Sequence, residues 1–258
     1  SLESWQRLLS AAVRADTLES PVIEHPPLIE QPWGQDWPYN LFAPRSAEEI
    51  PAVTGCEPTA VALIMNFHQW PPRGKGSKSW TTVADSEFNV SGAMNAHFPL
   101  PYDWNRMMES YPVLQSPPTS SELSVARLMF DLGVAFESMF DTAGTGTYSS
   151  KLVPAMETYF GYSGLVQGES RSQKSLFQRI KDDVVAGFPV HASIPDHSFV
   201  VSGLAKDGDA DYYYLNYGWG GYLSGWYRLN DGDKGSVVYS AITHFLPAKK
   251  AMFREIPS

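Results

Sequence analysis

The chain carries a single cysteine, Cys56, among 258 residues. No intrachain disulfide can form and no zinc site built from several cysteines is available, so stability has to come from packing. Charge is also scarce, at 18 % of residues, and its balance is acidic, with 19 Lys and Arg against 28 Asp and Glu and no basic cluster. Nucleic acid and anionic membranes select for a basic face, which excludes both as main partners. No stretch approaches the roughly 20 apolar residues of a membrane span, and no basic segment followed by an apolar run opens the sequence. The expectation is a soluble protein with no signal peptide in the chain as given. What is abundant is apolar and aromatic volume, 43 % and 13 % of residues, enough for a sizeable core in one fold of two lobes.

Residues 4–17 read as a short amphipathic helix, and Pro21, Pro26, Pro27, Pro32 and Pro38 then favour extended chain. Residues 1–27 are therefore set apart as an N-terminal extension, with a folded domain over 28–258. From Cys56 to His68, Ala60, Val61, Leu63, Ile64 and Phe67 recur at helical spacing until Pro71 and Pro72 stop the run. Residues 73–118 read as long excursions anchored by Tyr102, Trp104 and Met107. Further helices are expected over 121–132, with Gly133 as stop, over 149–160 and over 172–186. After Pro189 the apolar period changes to alternation in PVHASI, HSFVVSGLA, YYYLNYGW and GWYRLN, the signature of an antiparallel sheet. The fold class is α+β, with a helical lobe over about 28–165, a β lobe over about 166–258 and a cleft between them.

A lone cysteine reads two ways: an inert small hydrophobe, or a nucleophile. Cys56 opens its helix, where unsatisfied backbone N–H groups and the helix dipole favour a thiolate; Glu57 opposes this with a like charge. His197 begins a strand after the Ile194-Pro195-Asp196 bend, 141 residues past Cys56, within the interval of about 130–150 between nucleophile and base in papain-type enzymes. His68 ends the cysteine's own helix, too far away to reach it. Asn216 closes the next strand, and a hairpin of 198–204 with 211–217 brings it back toward His197. Its amide carbonyl then either orients the imidazole or simply caps a turn, and Trp219 is either part of that group or a core aromatic. Asp207, Asp209 and Asp211 have the alternation of a calcium loop, but Tyr212 stands at its glycine position and its final Glu is missing, so no metal site is assigned.

Five segments in order, WGQDWPYN, TGCEPTAVALIMNFHQWP, PYDWN, DHSFVVSGL and YYYLNYGWGGYLSGWYRL, resemble the streptopain family of secreted bacterial cysteine peptidases from about residue 30 to 247. The resemblance implies a papain-like fold and a cysteine endopeptidase working through a thiolate–imidazolium pair and an acyl-enzyme, with no cofactor. Cys56 falls on the nucleophile, His197 on the base, Asn216 and Trp219 on the group that orients and shields it, and Gln35 on the oxyanion-hole glutamine. Tyr217, Gly55 and Ser193 are assigned to substrate binding, and residues 141–150 to a wall of an apolar subsite. Polypeptide substrates, an inhibitory pro-segment with residues 1–27 as its remnant, and a secreted or periplasmic location follow from the same resemblance. Two departures stand out. Tyr217 replaces the family's usual tryptophan, and the glycine-rich loop near the C-terminus is reduced to residues 230–235. A peptide-binding relative without catalysis and a cysteine acyltransferase are the alternative readings.

Overall fold

The computed structural model describes residues 22–111, 116–169, 173–229 and 238–248. The helix expected over 4–17 and the shortened loop at 230–235 lie outside these. Helix α1, Cys56–His68, is buried along almost its whole length, which its run of Ala, Val, Leu, Ile and Met side chains makes favourable. Pro58 falls in the first turn, where a missing N–H costs nothing. His68, at the far end, bonds the Phe245 carbonyl through Nε2 at 2.8 Å and is a structural residue. Helix α2, Ser120–Ala135, starts from a capping box of Thr119 and Glu122. It runs past Gly133 rather than stopping there; that glycine serves close packing, since a Cβ on it would meet the Phe140 ring at 2.8 Å. A 3₁₀ turn, Ser149–Lys151, leads into helix α3, Leu152–Tyr159, and helix α4 spans Gln173–Val185.

The main sheet has seven strands: β1 (Val22–His25), β4 (Val166–Glu169), β5 (Val190–Ile194), β6 (His197–Asp207), β7 (Ala210–Asn216), β8 (Gly225–Tyr227) and β9 (Ser240–Thr243). The order is β4-β9-β5-β6-β7-β8, and β1 pairs with the far end of β6. The excursions of 73–118 also contain a hairpin, β2 (Ser77–Thr82) with β3 (Gly92–His97), whose polar side chains gave no alternating apolar signal. The hairpin of β6 and β7 forms as expected and closes through the turn at Asp207 and Ala210, with a register shift between Val201 and Gly203.

Register decides what faces what. His191 lies opposite Val200, and Ser193 opposite Ser198; cross-strand partners share a face, and Val200 belongs to the core built on α1 and α2. Phe199, Val201, Val190 and Ala192 point the other way, into a second core with Leu176, Ile180 and Val184 of α4. The strands β5 and β6 are thus covered on both faces, and the Cys56 end of α1 lies against the start of β6.

The entry to α1 is held by its neighbours. Thr59 bonds back to the Gly55 carbonyl through Oγ1 at 2.7 Å and shares a hydrogen bond with Thr54 Oγ1 at 2.9 Å. Gly55 has φ 90° and ψ 155°, and a Cβ there would meet the Thr145 carbonyl oxygen at 2.9 Å. Gly55→Ala is expected to cost about 2 kcal/mol or more of unfolding free energy in urea, because strain at positive φ adds to a clash with backbone. An unchanged midpoint would show that the turn can rearrange.

Candidate active site

The two lobes leave a cleft of about 1770 Å³ between them, and Cys56, His197, Gln35, Ser193 and Trp219 all line it. Its volume exceeds the roughly 300–1,000 Å³ of a small-molecule pocket, which suits an extended chain. The far wall is continuous from Asp141 to Ser149 and is tied to the residues before Cys56 by the Val53 N–H to Asp141 carbonyl bond (3.0 Å) and by Thr145 Oγ1 to the Val53 carbonyl (2.6 Å).

Cys56 is half-buried on the floor of the cleft, and its sulfur accepts from the backbone N–H of Ser198 as well as from N–H groups at its own helix start. That contact sets the start of α1 beside the residue following His197. Burial, and then the neighbouring Glu57 carboxylate, push the thiol up to about 12, against the pull of those N–H groups. Burial likewise draws the His197 imidazole down to about 4, with the Tyr217 carbonyl and Glu57 opposing. Both shifts, taken for each group by itself, run toward the uncharged form.

His197 is held from three sides. Its Nε2 bonds the Tyr217 carbonyl at 2.9 Å; since a carbonyl only accepts, Nε2 carries the proton and the neutral ring keeps its lone pair on Nδ1. The Tyr217 ring is parallel to it at 5.5 Å and Trp219 covers it at 4.2 Å. The hairpin does bring Asn216 to this end of the sheet, but its amide does other work: Nδ2 donates to the Gln31 carbonyl (2.9 Å) and Oδ1 accepts from Gly218 N–H (3.0 Å). The imidazole's acceptor is therefore the backbone one residue on.

Gln35 sits in a loop clamped on both sides. Its carbonyl accepts from Thr54 N–H at 3.0 Å, and the Trp33 carbonyl accepts from Gly220 N–H at 3.0 Å. Of the residues assigned to substrate binding, Ser193 faces the cleft and shares a hydrogen bond with Ser198 Oγ at 2.9 Å. Tyr217, 2 % exposed, packs with Phe199, Trp219 and Tyr227 behind His197, and Gly55 lies under Thr145; neither is among the cleft-lining residues. Sequence reasoning missed the pairing of Glu57 with His191 beneath Cys56. A carboxylate in so apolar a helix demanded a buried partner, and His191, alone among apolar and small residues in β5, was the signal.

A papain-like α+β fold with a cysteine at a helix start and a histidine at a strand start facing one cleft defines the class. Residues 33–227 match the peptidase C10 family, and the chain belongs to it. Streptopain of Streptococcus pyogenes is 27 % identical over 219 residues, 77 % of this chain and 53 % of that protein. The thiol protease/hemagglutinin PrtT of Porphyromonas gingivalis is 28 % identical over 213 residues, 80 % of this chain and 24 % of its own length. The chain thus spans about half the length of the streptopains it matches, and less of PrtT. Active interpain A, a cysteine protease of Prevotella intermedia, shares the fold with a TM-score of 0.73 at 24 % identity, over 86 % of this chain and 94 % of that one. A prointerpain A fragment does so at 0.74 and 24 %, over 95 % and 82 %.

The depressed His197 has a consequence for stability. Between its ordinary value of 6.5 and about 4, the unfolded chain binds a proton that the folded chain refuses. The group's contribution is therefore present above pH 6.5 and lost as pH falls through 4. Measured in urea against His197→Gln, wild type should lose about 3 kcal/mol between pH 7 and pH 4. A pH-independent difference would place the imidazole in water.

Proposed function

We propose that the chain is a cysteine endopeptidase acting on polypeptides. The observation that carries this is the cysteine sulfur held by Ser198 N–H at the floor of a long cleft, beside an imidazole whose tautomer is fixed by the Tyr217 carbonyl. Cys56 Sγ attacks the scissile carbonyl while its proton passes to His197 Nδ1. Gln35 and the Cys56 backbone N–H face the developing oxyanion, a contribution of roughly 3–4 kcal/mol per donor in comparable sites. The C–N bond breaks as His197 returns the proton to the amine, leaving a thioester. Water then attacks the thioester with His197 as base, releasing the acid and restoring the thiol. Trp219 shields the imidazole from bulk water, and Asn216 acts indirectly by fixing residue 31 and the turn at 218.

Residues 141–149 form the wall against which the side chain two before the scissile bond packs, and an apolar residue suits it. Residues 1–27 are read as the end of an inhibitory pro-segment, supported by the precursor fragment of interpain A aligning over more of this chain than the active form does. An extracellular or periplasmic location follows from the family resemblance.

The test is release of acid-soluble peptides from denatured casein, with alkylation of Cys56 by iodoacetamide followed by peptide mass mapping. Wild type is expected to do both, and Cys56→Ala neither. Full proteolysis by Cys56→Ala would refute the assignment. Alkylation without proteolysis, with acyl groups passed to added amines, would favour a transferase.

A further inference from the structure

Behind Cys56 and His197 lies a pair of ionisable side chains that the mechanism above leaves unused. Glu57, next to the nucleophile, is 4 % exposed, and His191 is 1 % exposed. The carboxylate bonds His191 Nε2 and accepts from Ser149 Oγ at 2.6 Å, and the Ser198 hydroxyl adds a third bond. These partners come from the 3₁₀ turn of the helical lobe, from β5 and from β6. One carboxylate therefore ties the nucleophile's helix to the strand that begins with the base. Ser198 is engaged on two sides, its N–H on the Cys56 sulfur and its hydroxyl on Glu57 and Ser193.

A buried carboxylate–imidazole pair is a costly way to fill space, because an apolar pair of similar volume packs as well without desolvating charge. The protonation of the pair can be read from its hydrogen bonds. His191 Nδ1 is buried and finds no hydrogen-bond partner among the described residues. A second N–H there would be a charged donor with nothing to bond, a larger penalty than an unpaired lone pair. The missing acceptor at Nδ1 favours the form that donates from Nε2 alone, and with it a Glu57 charge that is not cancelled.

We propose that Glu57 is a positioning residue of the peptidase site: locked by His191, Ser149 and Ser198, it holds Ser198 N–H against the Cys56 sulfur and supplies an uncompensated negative charge that sets the working pH range of the Cys56–His197 couple. The direction of the effect does not depend on which partner carries the proton. A fixed negative charge makes both deprotonations of the couple harder, so removing it moves both limbs of the activity profile toward acid. Other titratable groups around the couple stay unchanged in such a comparison. They are Asp196 on the turn before His197, Asp141 on the far wall, Tyr217 behind the imidazole, the exposed Tyr148 and Tyr239, and the Asp183–His244 pair beyond β9.

The inference rests on the peptidase reading, so the measurement has two parts. The rate of Cys56 alkylation by iodoacetamide and kcat/KM on a fluorogenic peptide are followed from pH 4 to 10 in wild type, Glu57→Gln and His191→Gln. Glu57→Gln keeps the shape of the carboxylate and is expected to shift both limbs down by about one pH unit. His191→Gln keeps a donor to the carboxylate and should leave the limbs within a few tenths of a unit of wild type. The double variant, in which one amide can donate to the other, should show the same downward shift and serves if Glu57→Gln alone does not unfold cooperatively. Loss of rate with unmoved limbs would reduce Glu57 to a packing residue, and limbs rising in His191→Gln would mean that His191 is cationic and the pair neutral; either overturns the proposal. If wild type itself is neither alkylated at Cys56 nor active, it is the peptidase reading that has failed.

Discussion

The hydrogen bond from the Ser198 backbone to the Cys56 sulfur joins the start of α1 to the start of β6, and the architecture on either side fixes both ends. On one side α1 must start at residue 56 and nowhere else, which the positive φ of Gly55 and the Thr54–Thr59 contact enforce. On the other, β6 must start at His197, which its pairing with Ile194 across the tight turn at Asp196 enforces. Both elements are buried on nearly every side, so neither can slide without opening a cavity in one of the two cores. A rigid seam suits a reaction that needs sulfur and imidazole within a fraction of an ångström of their working positions.

That seam is dry, and dryness cuts two ways. Burial favours the neutral thiol and the neutral imidazole over their ions, each group taken by itself. The same low-dielectric surroundings strengthen every N–H aimed at charge that develops during the reaction. On the proposed peptidase reading, catalysis draws on dipoles already in place at the start of α1 and along the Gln35 loop. The clamping of that loop between Thr54 and Gly220 then matters as much as the identity of residue 35.

The parts of this arrangement that are local in sequence were readable from it. Helix α1 showed in the spacing of its apolar residues and the β6–β7 hairpin in its alternation around a turn, and Cys56 and His197, singled out by their 141-residue interval, line one cleft. What escaped was non-local or polar. Strand β9 pairs between β4 and β5, an arrangement that no neighbouring residues encode, and β2 and β3 are too polar to show a period. Glu57 and His191 are 134 residues apart, and each reads as an ordinary polar residue until the fold buries both. The identity of the imidazole's acceptor escaped for a different reason: a backbone carbonyl has no residue type to recognise.

That last point changes the meaning of Tyr217. Were the imidazole oriented by a side chain, replacing a residue beside it would endanger the tautomer. Here the orienting group is the carbonyl of residue 217, which any amino acid supplies, while the side chain points into the core of the β lobe against Phe199 and Tyr227. Exchanging a tryptophan for a tyrosine therefore alters the ring stacked behind His197 and leaves its hydrogen bond intact. Asn216, freed from holding the imidazole, instead holds the Gln31 carbonyl four residues before Gln35. The strand hairpin that carries His197 thereby also fixes the approach to the Gln35 loop, and the two sides of the cleft keep register through one side chain.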